Sequence, residues 1–145
     1  TSTWHGMFLS NENPTEAVDV MHYCWKGFWP TSRAPSITNI NLNGSNWKNE
    51  HILEKDSISV LDFKFENYNN QKIEIKYVLY PEAFSNKMGG DFQESPNPIE
   101  LDIVEKRLNQ IKFKPPKKKG AYRIFTFVSN EFGQSSVANV PFYVN

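Results

Sequence analysis

Two segments near the carboxyl end of the chain carry apolar side chains at every second position. In residues 121–129, every second residue falls on one face of an extended chain, namely Tyr122, Ile124, Thr126 and Val128. The residues between them fall on the other face. Residues 136–144 form a second run of this kind, and Asn130–Ser135 lie between the two. The pattern predicts two strands joined as a hairpin that closes an antiparallel sandwich.

Further runs with the period of a β-strand occupy the chain after residue 35, and turn signals rich in Asn and Gly separate them. Together they predict an all-β fold, an Ig-like antiparallel β-sandwich preceded by one short strand and one amphipathic helix. The aromatic residues within the strands are expected in the core. The predicted strands are Ile37–Leu42, Ser57–Glu66, Lys72–Tyr80, Glu100–Val104, Leu108–Lys114, Ala121–Ser129 and Ser136–Val144.

Residues 1–30 differ because most of their apolar positions follow a helical spacing. A short apolar run from Trp4 to Leu9 predicts a strand. Asn13 then offers a helix N-cap, Pro14 suits the first helical position and Gly27 supplies the stop. The predicted helix runs from Pro14 to Lys26, with Glu16 completing a capping box. Its apolar positions lie on one stripe that we expect to be buried, against the following domain or a neighbour: Ala17, Val18, Met21, Cys24, Trp25 and Phe28.

The periodicity changes around two prolines, Pro30 and Pro35. The chain is therefore expected to comprise a strand and helix tail at 1–30, a linker at 31–36 and a sandwich module at 37–145.

The length and charge of the chain exclude several classes of function. Its 145 residues cannot hold a catalytic barrel of about 250 residues. Sixteen basic and sixteen acidic residues cancel, and no apolar segment reaches the roughly 18 residues of a transmembrane helix. We expect neither nucleic acid nor a membrane as partner.

Residue types that carry catalysis or bind metals form no recognisable motif. The three histidines lack the spacing of a zinc site, and Cys24 is the only cysteine. Asp91 and Glu94 resemble a glycosidase carboxylate pair, but they share a loop with Gly89-Gly90, whereas the reaction needs a fixed separation. The turn at 66–70 holds one carboxylate, too few for a good calcium site. We expect no catalysis by this chain, no cofactor and no metal.

Aromatic side chains make up 14% of the chain, and flat rings stack well on sugar faces. Rings that fall in turns are therefore candidates for ligand contact. Trp47 is the best of them, because an indole in a polar loop otherwise exposes apolar area for no gain. The alternative for Trp47 is a loop anchor. The turn candidates are Trp47, Tyr68, Phe84, Phe92 and Phe132.

Several blocks of the sequence resemble the passage out of the catalytic barrel in bacterial glycoside hydrolases that carry a glycosyl hydrolase family 2-type TIM barrel and act on β-glucans. Later blocks resemble the Ig- or PKD-like module that follows this barrel. The resemblance covers the whole chain discontinuously. The first set is Thr3–Phe8, Thr15–Tyr23, Trp25–Pro30 and Arg33–Pro35, and the second is Leu42–Gly44, Tyr80–Glu82, Gly89–Phe92, Gly120–Arg123 and Ala138–Val144.

The resemblance implies that residues 1–30 are the last strand and helix of a barrel whose catalytic carboxylates lie upstream. Trp4 would then lie near the active-site face of the intact enzyme and joins the candidate ligand contacts. Relatives of the module usually have an Asp-Pro-Asp-type turn where this chain has Glu66–Gln71. This departure further weakens any calcium role.

The leading hypothesis is a non-catalytic carbohydrate-binding module of a secreted or cell-surface bacterial polysaccharide-degrading enzyme. It would bind β-glucan, such as a β-1,3-linked laminarin chain, through its loop aromatics. Its expected partners are the polysaccharide and the upstream barrel of the same polypeptide. One alternative is a structural Ig-like spacer that packs on the barrel without binding sugar, and another is a surface adhesion or protein-interaction domain.

Overall fold

The computed structural model describes residues 6–82 and 96–145. Within these two ranges it contains helix α1, Glu16–Lys26, and nine strands. The strands are β1 Ser36–Leu42, β2 Ser45–Asn46, β3 Ile52–Leu53, β4 Ser59–Glu66, β5 Ile73–Pro81, β6 Asp102–Arg107, β7 Gln110–Lys114, β8 Gly120–Asn130 and β9 Ser135–Val144. In the described residues they form two β-sheets, with strand orders β2-β1-β4-β7-β6 and β3-β9-β8-β5. The described part of the chain is an all-β sandwich with one short helix, which confirms the predicted fold class.

Each of the seven strands predicted after residue 35 is present, with ends shifted by up to three residues. The period of two explains this success, and β8 illustrates it. Tyr122, Ile124, Thr126 and Val128 are all buried, whereas the residues between them are half-buried. Strands β2 and β3 were not predicted, because two residues are too few to show an alternation of apolar and polar side chains. Strand β3 also pairs in parallel with β9, with Ile52 opposite Tyr143.

By its internal contacts the chain divides into two compact units. Unit 1 comprises Thr1–Asn39, Lys64–Lys76 and Thr126–Ala138, and unit 2 comprises Ile40–Phe63, Tyr77–Phe125 and Asn139–Asn145.

Unit 2 contains most of the apolar core. Phe113 of β7 contacts Phe142 of β9 with ring centroids 6.2 Å apart, and Phe63 of β4 contacts Tyr77 of β5 at 6.3 Å. Each pair joins a strand of one sheet to a strand of the other, so the core of unit 2 lies between the sheets. Phe63, Phe113 and Phe142 are buried as expected, whereas Tyr77 is half-buried, and so are the strand phenylalanines Phe65, Phe125 and Phe127.

Unit 1 has a more polar interior. Its buried side chains include only a few apolar ones, such as Ala34 and Val128. The other buried side chains are polar, and buried polar groups need hydrogen-bond partners because burial removes the water that would otherwise bind them. The buried polar residues of unit 1 are Thr15, Asp19, Ser36, Thr126, Asn130, Ser135 and Ser136.

The start of α1 differs from the prediction. Thr15, not Asn13, is the N-cap, and its Oγ1 accepts a hydrogen bond from the Ala17 amide at 3.3 Å. Asn13 is engaged elsewhere, since its Nδ2 donates to Ser135 Oγ at 3.1 Å. At the other end Gly27 adopts a left-handed conformation with φ 78°, which confirms the predicted stop. The described part of the predicted strand before α1, residues 6–9, forms a turn and an isolated bridge from Phe8 to Pro14.

The apolar stripe of α1 is only partly buried, which differs from our expectation. Ala17, Val18 and Met21 are half-buried, whereas the other end of the stripe is exposed. Trp25 is 75% exposed, Phe28 is 61% exposed and Cys24 is also exposed. The buried residue of the helix is instead Asp19. The fully buried contact between the helix and the rest of unit 1 is therefore a polar one, from Asp19 to Ala34. No helix in the described residues is long and apolar enough to cross a membrane.

Candidate functional site

Arg33 lies in the connector between α1 and β1, and its guanidinium is held between two aromatic rings. The Cζ atom lies 3.8 Å from the ring centroid of Trp29 and 3.6 Å from that of Tyr68. Tyr23 stacks on Trp29 with centroids 4.7 Å apart, so four flat groups follow one another. A planar guanidinium is attracted to ring faces because the quadrupole of a neutral aromatic ring gives its face a negative electrostatic potential. This stacking joins the connector to the turn between β4 and β5.

Hydrogen bonds to the backbone hold Arg33 between two turns. Its amide donates to Asn69 Oδ1 at 3.0 Å, and Asn69 Nδ2 donates in turn to the carbonyl of Thr31 at 3.0 Å. Asn130, in the hairpin between β8 and β9, donates from Nδ2 to the carbonyl of Arg33 at 3.1 Å. Segments more than 30 residues apart in sequence thus meet at Arg33.

Side-chain amides link the same two turns below the connector. Asn130 Nδ2 lies 2.5 Å from Gln71 Oε1 and 2.8 Å from Gln134 Oε1. Gln71 Nε2 donates to Ser32 Oγ at 2.9 Å, and Ser32 Oγ donates to Gln134 Oε1 at 2.5 Å. The network is partly buried, with Asn130 buried and the others half-buried, and a hydrogen-bond network whose members are satisfied makes its surroundings rigid. We refer to Trp29, Arg33, Tyr68 and Phe132, together with this network, as the Arg33 site.

The guanidinium of Arg33 has no hydrogen-bond or ion-pair partner among the described residues. Its Nε is buried and unpaired, and the recorded ion pairs involve other side chains. Asp19 attracts Arg33 through space. The Asp19 carboxylate, however, accepts a hydrogen bond from the Ala34 amide at 2.7 Å. The cation at the centre of the site is therefore contacted by ring faces, and none of the described residues accepts a hydrogen bond from its N–H groups.

Asp19 is the buried ionisable group of α1. Burial raises the pKa of its carboxyl above the ordinary value of 3.8, and the bond from Ala34 and the charge of Arg33 offset part of this rise. Glu16, on the preceding turn of the helix, accepts a hydrogen bond from Ser36 Oγ at 2.7 Å. Both carboxylates point into unit 1, which accounts for the outward position of the apolar stripe.

Two of the six candidate ligand contacts belong to the Arg33 site. Tyr68 is 41% exposed, with one ring face covered by Arg33. Phe132 is 66% exposed, and its amide donates to Asn130 Oδ1 at 3.1 Å. The structure thus brings two separate turns to one arginine, one between β4 and β5 and one between β8 and β9.

The other predicted contacts lie elsewhere. Trp47 belongs to unit 2, where it is 46% exposed and its ring centroid lies 5.5 Å from Lys48 Nζ. Trp4 and Phe92 lie outside the described residues, as does the further turn candidate Phe84. Sequence reasoning did not single out Arg33. Its one local signal is a cation between two prolines, shortly after Trp29.

The histidines and carboxylates of the described residues do not form a metal centre. No group of three or more potential metal ligands occurs in residues 6–82 and 96–145. His51 is buried in unit 2, where its Nε2 lies 3.1 Å from the carbonyl of Asn46. His22 lies beside Phe28, with Nδ1 3.0 Å from the Phe28 carbonyl. These two histidines have structural partners.

Comparisons with known proteins give no family for this chain. No protein-family model matches it, and no curated protein matches it. Among solved structures it is similar to PcoC, a methionine-rich copper resistance protein from Escherichia coli, with 13% identity and a TM-score of 0.43 over 77% of this chain and 99% of that one.

It is also similar to a DUF4784 family protein from Bacteroides caccae, with 11% identity and a TM-score of 0.39 over 74% of this chain and 24% of that one. Murine CRIg shows 8% identity and a TM-score of 0.34, with 77% and 96% covered. Likenesses this weak carry no argument about function.

Proposed function

We propose that this chain is a non-catalytic accessory module of a secreted bacterial polysaccharide-degrading glycoside hydrolase, and that it binds β-glucan at the Arg33 site. One observation carries the proposal. Tyr68, whose ring contacts Arg33, and Phe132, whose amide is hydrogen-bonded to Asn130, come from different turns of this site, and both side chains keep much of their surface exposed. An exposed ring on a rigid support is suited to stacking against a sugar.

The rigidity of the site supports the proposal energetically. Binding costs roughly 0.5–1.5 kcal/mol for each flexible side chain that it immobilises. Here the hydrogen bonds among Gln71, Asn130 and Gln134 already fix the turns that carry the rings. More of the stacking energy is then available for affinity. Trp47, in unit 2, would add a separate contact with the polysaccharide.

Affinity electrophoresis in gels containing laminarin tests this function. We expect the glucan to retard the wild-type chain, and Phe132→Ala to weaken binding by about 1 kcal/mol, the middle of the range for a stacked aromatic pair. Trp25→Ala is the matched control, because it removes an exposed ring outside the Arg33 site. Tyr68→Ala should also weaken binding, with its melting temperature measured because Tyr68 stacks on Arg33.

Two outcomes would overturn the proposal. One is equal migration of the wild-type chain with and without laminarin, mixed-linkage glucan or mannan in the gel. The other is retardation that Phe132→Ala and Tyr68→Ala leave unchanged while Trp25→Ala or Trp47→Ala abolishes it.

A second function is favoured by the exposed apolar stripe of α1. A helix of 11 residues is marginal alone and depends on packing, yet here Trp25 and Phe28 lie on the surface. In this proposal the stripe is covered by the catalytic barrel of the same polypeptide, which is the occupant that the sequence resemblance implies. The module would then have a structural role, with or without sugar binding.

The single thiol of this chain reports on that contact. Cys24 lies on the stripe and is exposed. In a longer polypeptide that includes the upstream barrel, alkylation of Cys24, followed by peptide mass spectrometry, should slow at least tenfold relative to this chain alone. Alkylation at the same rate in both would rule out the barrel as the cover of the stripe.

A further inference from the structure

The Arg33 site contains a guanidinium that donates no hydrogen bond to the described residues. Trp29 and Tyr68 cover the two faces of the guanidinium, and neither ring can accept its in-plane N–H groups. Those N–H groups have no hydrogen-bond partner among the described residues, and Nε is also buried. A guanidinium fixed in this way presents its fork of donors in one orientation. Such a fork matches a carboxylate, which accepts two parallel hydrogen bonds.

We infer that the Arg33 site binds a sugar carrying a carboxylate, that is, a uronic acid residue within an otherwise neutral β-glycan. This inference rests on the proposed sugar-binding function and specifies its ligand. The composition of the site supports this inference, because the Arg33 guanidinium is accompanied by several exposed aromatic rings. A uronic acid has a group for each of them. Its carboxylate can pair with the guanidinium, and the apolar C–H faces of the sugar rings can stack on the aromatic rings.

The surrounding charges favour an isolated carboxylate over an acidic peptide. Glu16 and Asp19 lie on the helix beside the connector, and Glu131 lies in the hairpin next to Phe132. These groups would repel a ligand with several adjacent negative charges. A neutral sugar chain with a single carboxylate avoids most of that repulsion and still pairs with Arg33.

Calorimetric titration with two matched oligosaccharides tests the inference. Both are β-linked glucose trisaccharides, and one has a glucuronic acid in place of a glucose. We expect the acidic ligand to bind the wild-type chain at least tenfold more tightly at low ionic strength, as a charge-assisted hydrogen-bonded pair requires. The preference should fall towards one in Arg33→Gln and be only partly retained in Arg33→Lys, which keeps the charge without the fork.

The ratio of the two affinities protects the test against misfolding. A variant that is partly unfolded loses affinity for both ligands equally, so only a specific loss changes the ratio. Equal binding of both ligands by the wild-type chain overturns the carboxylate inference and leaves the sugar-binding function intact. Binding of the acidic ligand alone supports the inference and corrects the neutral-glucan proposal. Binding of neither ligand overturns both.

Discussion

Replacing Trp25 with alanine should cost this chain little stability, although the helical pattern places Trp25 on a stripe that we expected to be buried. Trp25 is 75% exposed, so about a quarter of its surface is covered. A tryptophan can bury up to about 250 Å², so the buried area that the substitution removes is roughly 60 Å². At about 25 cal/mol per Å² the loss is at most ~1.5 kcal/mol.

The matched control is Phe113→Ala, because Phe113 is fully buried in unit 2. Removing a buried phenylalanine typically costs about 3–5 kcal/mol. For a chain of 145 residues the unfolding entropy is about 0.3 kcal/mol per kelvin, so the two variants should melt roughly 5 °C or less and 10 °C or more below wild type. Urea and thermal unfolding followed by circular dichroism measure both. A loss of 3 kcal/mol or more for Trp25→Ala would show that the stripe is buried within this chain and refute the reasoning.

Three further changes test the structure. Burial raises the pKa of the Asp19 carboxyl above its ordinary value, so the folded chain binds a proton at this carboxyl more tightly than the unfolded chain does. The stability that this protonation contributes is present at low pH and is lost as the pH rises through the folded pKa. The melting temperature of wild type minus that of Asp19→Asn should therefore fall as the pH rises above 3.8, and a rising difference would contradict the assignment. Gly27→Ala should destabilise by about 1 kcal/mol because Gly27 has positive φ with no atom within 4 Å of an added Cβ, and Gly27→Asn should lose less; equal urea midpoints for all three would exclude backbone strain. Tyr122→Phe should cost about 1 kcal/mol by removing the hydrogen bond from Tyr122 Oη to the Lys118 carbonyl, and an unchanged unfolding midpoint would count against that bond.

The sequence predicted the sandwich well because side chains in a half-buried strand must alternate. The period of two in residues 121–129 is enough to identify β8 and its buried face. The helical spacing of α1 likewise identified which side chains share a face. It could not show which face is turned inward, because Asp19 and Glu16 find their partners, Ala34 and Ser36, only in the folded chain.

The candidate site was only partly predictable for a similar reason. Composition and turn position were enough to single out Tyr68 and Phe132 as exposed rings. Arg33 was missed because its role depends on contacts with residues 36 and 97 positions away in sequence. Nothing in its local sequence distinguishes a stacked arginine from a solvated one.

The most direct test of the account is to locate the sugar on the protein. Titration of the ¹⁵N-labelled chain with a laminarin oligosaccharide, followed through backbone amide shifts, reports on each turn separately. We predict saturable shifts concentrated in residues 29–33, 67–72 and 130–134, the segments that meet at the Arg33 site. The absence of shifts at millimolar sugar, or shifts confined to other parts of the chain, would contradict the claim that this site binds glucan.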